Sequence, residues 1–289
     1  MKHTSAWVSI LIALALVSVP MAIGQTFTFR NLEIPNAQST TPYGVNDSGV
    51  ISGNYTDSSG VSHCFMLSGH TLTTITDPNG TGTSCFGINA AGAIVGFYNV
   101  LNSFSNGFIY ANGVFTDVIV PTATAGTIAY GINDSGLVVG QFADSNGTHG
   151  FLFNGSTYET LNVPGADTTI AVGINSNNII TLESLNSGGL SSWVRIGTQY
   201  GPLNVPGAVT TAVHSINNLN KIALSWFDSS NLEHGAVYAG GKYHLIDDLA
   251  GTDTGIETIN DSNTIVGRYM PAGDSQYQGF EGKPVATAP

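Results

Sequence analysis

Gly131-Ile132-Asn133, running on into Asp134-Ser135-Gly136, is one of six copies of a short phrase. The others read Gly44-Val45-Asn46, Gly87-Ile88-Asn89, Gly173-Ile174-Asn175, Ser215-Ile216-Asn217 and Thr258-Ile259-Asn260. Their asparagines stand 43, 44, 42, 42 and 43 residues apart. A fixed period in this range marks a repeat architecture, in which each unit buries its faces against its neighbours.

Outward from Asn133, the third repeat reads as four strands. Ile128 to Asn133 forms a short strand, and Asn133-Asp134-Ser135-Gly136 turns the chain with residues that tolerate positive φ. Leu137 to Phe142 is rich in β-branched and aromatic residues and makes the second strand. A turn at Asp144 to Gly147 leads to a third strand, His149 to Phe153. Asn154-Gly155-Ser156 turns it into a fourth, Tyr158 to Val163, and Pro164 to Thr169 links it to the next repeat. Four antiparallel strands per unit is the content of a propeller blade.

Closure is read from the N-terminal end. Phe29-Arg30-Asn31-Leu32-Glu33-Ile34-Pro35 aligns without a gap on Tyr158 to Pro164, a fourth strand, whereas the last repeat stops at a third, Gln278-Gly279-Phe280. The predicted fold is therefore an all-β, six-bladed β-propeller. Its last blade borrows its fourth strand from the start of the domain, a one-plus-three closure that leaves no free edge.

The bulk composition agrees with short strands and tight turns: 9% of residues are charged, and 36 are glycine. Lys2 and His3 precede an apolar run from Val8 to Met21, followed by Ala22-Ile23-Gly24. This reads as a secretory signal peptide over residues 1–24. The domain is expected over 25–282, with 283–289 as a disordered tail. Without the signal peptide, six basic residues face 19 acidic ones, a net charge of −13. Nucleic acid and anionic lipid are poor partners for such a surface, and no membrane insertion is expected. The chain is expected to be a secreted, extracytoplasmic monomer.

Gly-Ile-Asn, Ile-Val-Gly and His-Gly-Phe together resemble the HAF-type extracellular repeat of secreted bacterial proteins, over nearly all of Gln25 to Phe280. The resemblance implies an exported repeat protein and brings no catalytic residues. Its histidine is present at His63, His149 and His234, and the equivalent positions read as Asn106, Ser192 and Gln278. Three such histidines lie too far from a common axis to share an ion, so a hydrogen bond to a turn or a neighbouring blade is the preferred reading.

Glycines inside the second strand (Gly53, Gly96, Gly140, Gly267) point to a bulge or a close approach of an adjacent blade. Two residues on stands an aromatic in five repeats: Tyr55, Tyr98, Phe142, Trp226 and Tyr269. These rings either pack between blades or form stacking platforms for sugar rings. Cys64 and Cys85 are the only cysteines, and a disulfide between neighbouring blades is one outcome for them.

Function is sought where the repeats stop being equivalent. The fourth and fifth depart most: Asn178, Leu182 and Trp193 stand at positions elsewhere held by Gly, then Ser215 and Leu224 likewise for Gly and Ala236 for Phe. They also concentrate Glu183, Trp193, Arg195, His214, Trp226, Asp228, Glu233 and His234. The leading expectation is a non-catalytic propeller without a cofactor that binds an extracellular glycan, another polymer or an envelope protein. A carbohydrate-active enzyme using Glu183, Asp228 or Glu233 as acid and base is the rival. A scaffold supported by surface calcium at Asp247, Asp248 and Asp253 is the third.

Overall fold

The computed structural model describes residues 27–100, 104–246 and 251–285. The expected signal peptide, Asp247 and Asp248 lie outside them. Every regular element among the described residues is a strand. The chain opens with β1 (Phe27–Leu32). The first repeat then holds β2 (Ala37–Val45), β3 (Val50–Asp57), β4 (Ser62–Ser68) and β5 (Thr71–Ile75). The second holds β6 (Thr83–Ile88), β7 (Ile94–Asn99), β8 (Ser105–Ala111) and β9 (Val114–Val118). The third holds β10 (Thr127–Ile132), β11 (Val138–Asp144), β12 (Gly147–Phe153) and β13 (Tyr158–Leu161). The fourth holds β14 (Thr168–Ile174), β15 (Ile180–Asn186), β16 (Gly189–Ile196) and β17 (Gln199–Pro202). The fifth holds β18 (Thr210–Ile216), β19 (Ile222–Phe227), β20 (Glu233–Ala239) and β21 (Lys242–Ile246). The last holds β22 (Gly251–Ile259), β23 (Ile265–Pro271) and β24 (Gln278–Pro284).

Antiparallel pairing of these strands gives four sheets of four strands and one of eight. The arrangement is that of a β-propeller. Where six separate sheets are expected from the repeats, the third and fourth repeats share one, joined by the single parallel pair Thr148↔Thr168. β1 pairs with β24 from Phe27↔Pro284 to Leu32↔Gly279, so one sheet holds strands from both ends of the domain. Residues 283 and 284 thus belong to the sheet rather than to a tail, because β1 supplies a ladder for them.

Core clusters lie between consecutive repeats rather than inside any one. Val95 of the second packs with Val118, Val138 and Phe151, and Val266 of the last packs with Leu32, Ile51 and Phe65. The disulfide is present: Cys64 on β4 joins Cys85 on β6, with Cα atoms 5.3 Å apart, and ties the first sheet to the second.

Close approach explains the strand glycines. A Cβ at Gly96 or Gly140 would stand 1.9 or 2.0 Å from a carbonyl of the first strand of the same sheet. The Phe108 and Phe151 rings close over the same two positions from the third strand. The crowding therefore arises within a sheet, beside the register shift of β6 and β10, and not from a neighbouring one.

The repeated asparagine does two jobs. Its Oδ1 accepts the backbone N–H four residues on in every copy, at Val50, Ala93, Leu137, Ile179, Lys221 and Thr264. That closes the turn locally, as an Asx residue does. Its Nδ2 donates outward, to the carbonyl of the next repeat's asparagine. Asn46 donates to Asn89, Asn89 to Asn133, Asn133 to Asn175, Asn175 to Asn217, Asn217 to Asn260, and Asn260 back to Asn46. All six asparagines are buried, so the Asn46, Asn133 and Asn260 sequons hold no accessible amide.

Removing one of these amides breaks several bonds at once. Asn133→Ala loses the donor to Asn175 and the acceptor for Ser135 and Leu137. At about 1 kcal/mol per bond, a loss of roughly 3 kcal/mol is expected in urea denaturation. Asn146→Ala, in an exposed turn, is expected to stay within about 0.5 kcal/mol. The Cys64→Ala/Cys85→Ala pair is expected to cost about 2–4 kcal/mol, and reducing agent should shift the melting of the native protein but not of that variant.

Candidate functional site

The residue before each Gly-Ile-Asn copy sits on a first strand and faces inward. These residues are Tyr43, Phe86, Tyr130, Val172, His214 and Glu257, and together they line a central cavity of about 360 Å³. Glu183 on β15 and Arg268 on β23 reach the same space from the second strands. The first three repeats furnish an aromatic wall: Tyr43 and Phe86 have ring centroids 5.1 Å apart, and Phe86 and Tyr130 are 4.9 Å apart. Phe97 backs Phe86 at 6.0 Å.

Charged groups come from the fourth to the sixth repeats. Arg268 donates to Glu257 and, through Nη2, to both oxygens of Glu233 at 3.1 and 3.2 Å. Burial opposes its charge, but Glu257 and Glu233 outweigh burial and hold the guanidinium firmly protonated. Of those two partners, Glu233 lies behind Arg268 and Glu257 faces the cavity. His214 rests 3.6 Å from Glu257 through Nδ1 and 3.1 Å from Ser225 Oγ through Nε2. Glu183 has no hydrogen bond or ion pair among the described residues. Burial raises its pKa above the usual 4.5, with a smaller push from Glu257, against the opposing pull of His214. The phenols of Tyr43 and Tyr130 are pushed up to about 12, chiefly by burial, with Glu257 adding to the first and Glu183 to the second.

At one mouth the residue after each repeated asparagine forms a rim. Asp134 accepts from Ala90 N–H, Asp261 from Asn218 N–H, and Asp47 from Asp261 N–H, at 2.8–2.9 Å. Asp134 Oδ2 also takes the Asn218 amide at 3.1 Å. The rim is acidic.

Of the candidate site residues named from sequence, only Glu183 and His214 line the cavity, and Glu233 reaches it through Arg268. Asp228 caps an exposed turn by accepting the N–H groups of Ser230 and Leu232, and faces His234 at 3.4 Å. Glu183, Asp228 and Glu233 therefore do not assemble into one acid–base set: Glu183 faces the cavity from β15, Asp228 lies in the turn after β19, and Glu233 stands behind Arg268. Arg195 pairs with Glu159 at 2.6 Å between the third and fourth repeats. Of the three acids suggested for calcium, Asp253 is described and caps the Glu233 N–H. No cluster of three metal-binding side chains occurs among the described residues.

The strand-end aromatics are packing groups rather than open platforms. Tyr98 and Phe142 are each 3% exposed and Tyr269 is 8% exposed. The half-buried Tyr55 and Trp226 stack on His63 and His234 at 4.9 and 4.4 Å. Phe142 lies 5.3 Å from His149. The motif histidines in turn meet turn aspartates: His63 lies 2.9 Å from Asp57, and His149 3.3 Å from Asp144. Aromatic, histidine and aspartate thus form a strand-end brace in alternate repeats.

Strand register corrects one alignment. Ser184 pairs with Ser191, Glu183 with Ser192 and Leu182 with Trp193. Ser191 therefore takes the histidine position, Ser192 the glycine position and Trp193 the Phe position. Trp193 donates its indole N–H to Ser184 Oγ at 2.8 Å and packs in the core, away from the cavity.

Solved structures share the fold at low identity, these three among them. A catalytically inactive virginiamycin B lyase from Staphylococcus aureus, with quinupristin, matches at 12% identity and TM-score 0.53, covering 90% of this chain and 100% of its own. TolB from Acinetobacter baumannii matches at 10% and 0.53, over 77% and 60%. AofleA from Arthrobotrys oligospora matches at 14% and 0.51, over 85% and 82%. The fold is a propeller. No family model and no curated protein matches the chain, so the HAF-type resemblance rests on its motifs alone.

Glu183 sets a pH dependence of stability. A carboxyl whose pKa is raised on folding stabilises the native state below its unfolded pKa, and that contribution is lost as pH rises through the folded one. Glu183→Gln is accordingly expected to melt higher than the native protein at pH 7. The difference should vanish below about pH 4 in a series of thermal melts.

Proposed function

We propose that this chain is a secreted, six-bladed propeller that binds an extracellular carbohydrate in its central cavity. The single observation that carries the reading is the division of that cavity into an aromatic wall, Tyr43, Phe86 and Tyr130, and a polar side bearing Glu183, His214, Glu257 and Arg268. Flat apolar faces with a few converging polar groups suit a sugar ring, and the volume suits one or two of them. A chain end entering the mouth would meet the rim aspartates first.

Support for six blades comes from dividing the eight-stranded sheet at its one parallel bridge, Thr148↔Thr168. Pairing of β1 with β24, and the asparagine circuit returning from Asn260 to Asn46, support a one-plus-three closure. Export is supported by the apolar run from Val8 to Met21 and by a disulfide that an oxidising compartment would preserve.

The test is a glycan array followed by NMR titration of the best ligands. Tyr130→Ala is expected to weaken binding about tenfold or more, and Tyr98→Ala, on the packed strand end, to leave the contacts intact. Absence of binding to any glycan would overturn the reading. One observation favours a second reading, turnover rather than binding: Glu183 and the His214–Glu257 pair face the same space. Polysaccharide cleavage that disappears in Glu183→Gln would replace the first reading with it.

A further inference from the structure

The charges around the cavity do not balance. Arg268 is the one Lys or Arg side chain among its lining residues, and Glu257 and Glu233 already occupy it. Glu183 remains, together with the rim aspartates Asp47, Asp134 and Asp261. A carboxylate without a partner in a protein interior is costly, and its pKa shift alone does not remove the cost at neutral pH. Glu183 and Tyr130 line the same cavity from adjoining repeats. Glu183 therefore stands at the junction of the carboxylate side and the aromatic wall. Aromatic faces attract organic cations, more so when water is excluded. An anionic ligand would meet repulsion at the rim and again at Glu183.

Resting on the reading of the cavity as a carbohydrate site, we propose that the ligand bears a free ammonium group, as in an amino sugar lacking its acetyl group, held by Glu183 against Tyr130. Glu183 supplies the counter-ion, the aromatic wall covers the ring face, and the rim aspartates draw the cation in. The titratable and charged groups that line the cavity with Glu183 are Tyr43, Tyr130, His214, Glu257 and Arg268, with the aspartates at the rim. A cation arriving there favours the ionised carboxyl, so binding releases a proton and strengthens as pH rises through the titration of Glu183.

Calorimetric titration of the full mature chain with glucosamine, N-acetylglucosamine and glucose at pH 7 tests this. Glucosamine is expected to bind about tenfold more tightly than either neutral sugar. Its advantage over glucose should grow as pH rises from about 4. Glu183→Gln should bind glucosamine no more tightly than glucose, and its thermal melt shows that it is folded. Tyr130→Leu should weaken all three sugars together. Equal affinity for glucosamine and N-acetylglucosamine, or an undiminished preference in Glu183→Gln, would overturn the ammonium inference and leave carbohydrate binding standing. If none of the three sugars, nor any glycan on the array, bound the native protein, carbohydrate binding itself would fall.

Discussion

Six buried side-chain amides, each donating to the backbone of the next repeat, set the spacing on which the rest of the molecule depends. An asparagine is suited to this place because its short amide accepts the N–H four residues on while still presenting a donor outward. Aspartate would keep the acceptor and lose the donor. The circuit also demands close approach of the inner strands. A Cβ at Gly44 or Gly87 would stand 2.9 or 2.8 Å from a carbonyl of the next repeat. Where Ser215 and Thr258 replace that glycine, their hydroxyls join the hydrogen bonding: Thr258 donates to the Tyr43 carbonyl, and Ser215 accepts from Ile259 N–H.

This repeated frame leaves several positions per repeat free to vary, among them the residue just before the glycine. Its side chain points into the central space, and neither the turn nor the amide circuit restricts its identity. Three repeats place aromatics there, one places valine, and the fifth and sixth place His214 and Glu257. An asymmetric site is thus carried on a nearly symmetric scaffold. The cost of burying charge is met unevenly: Arg268 donates to both Glu257 and Glu233, whereas Glu183 faces the cavity without a hydrogen bond or ion pair among the described residues.

Divergence among the repeats has two physical origins. Part of it is compensation. Asn178, Asn220 and Asn263 replace a turn glycine yet hold φ near +60°, a conformation asparagine tolerates. Asn220 also accepts the Asn175 amide at 2.9 Å. Leu224 opposite Ala236 exchanges large for small against Gly140 opposite Phe151, keeping the layer filled. The remainder, at Glu183, His214, Glu257 and Arg268, brings charge into the cavity. Departure from the repeat is therefore not by itself a mark of function. What separates the two kinds is whether the new side chain faces a packed layer or the central space.

The amino-acid sequence by itself determined the period, the strands and turns of each repeat, the pairing of the first strand with the last sheet, and two of the cavity residues. Those features are written in local patterns: turn residues that accept positive φ, alternation within strands, and a phrase that recurs at near-constant spacing. Tertiary structure alone decided which side chains converge, since Tyr43, Phe86 and Tyr130 are each a full repeat apart along the chain and meet only around the central cavity. It also decided that Tyr98, Phe142 and Tyr269 are packed, and that Ser191 rather than Ser192 opposes Ser184. A strand's alternation shows that two faces differ. Which face looks toward the cavity, and what stands opposite it, depends on neighbours that no local pattern names.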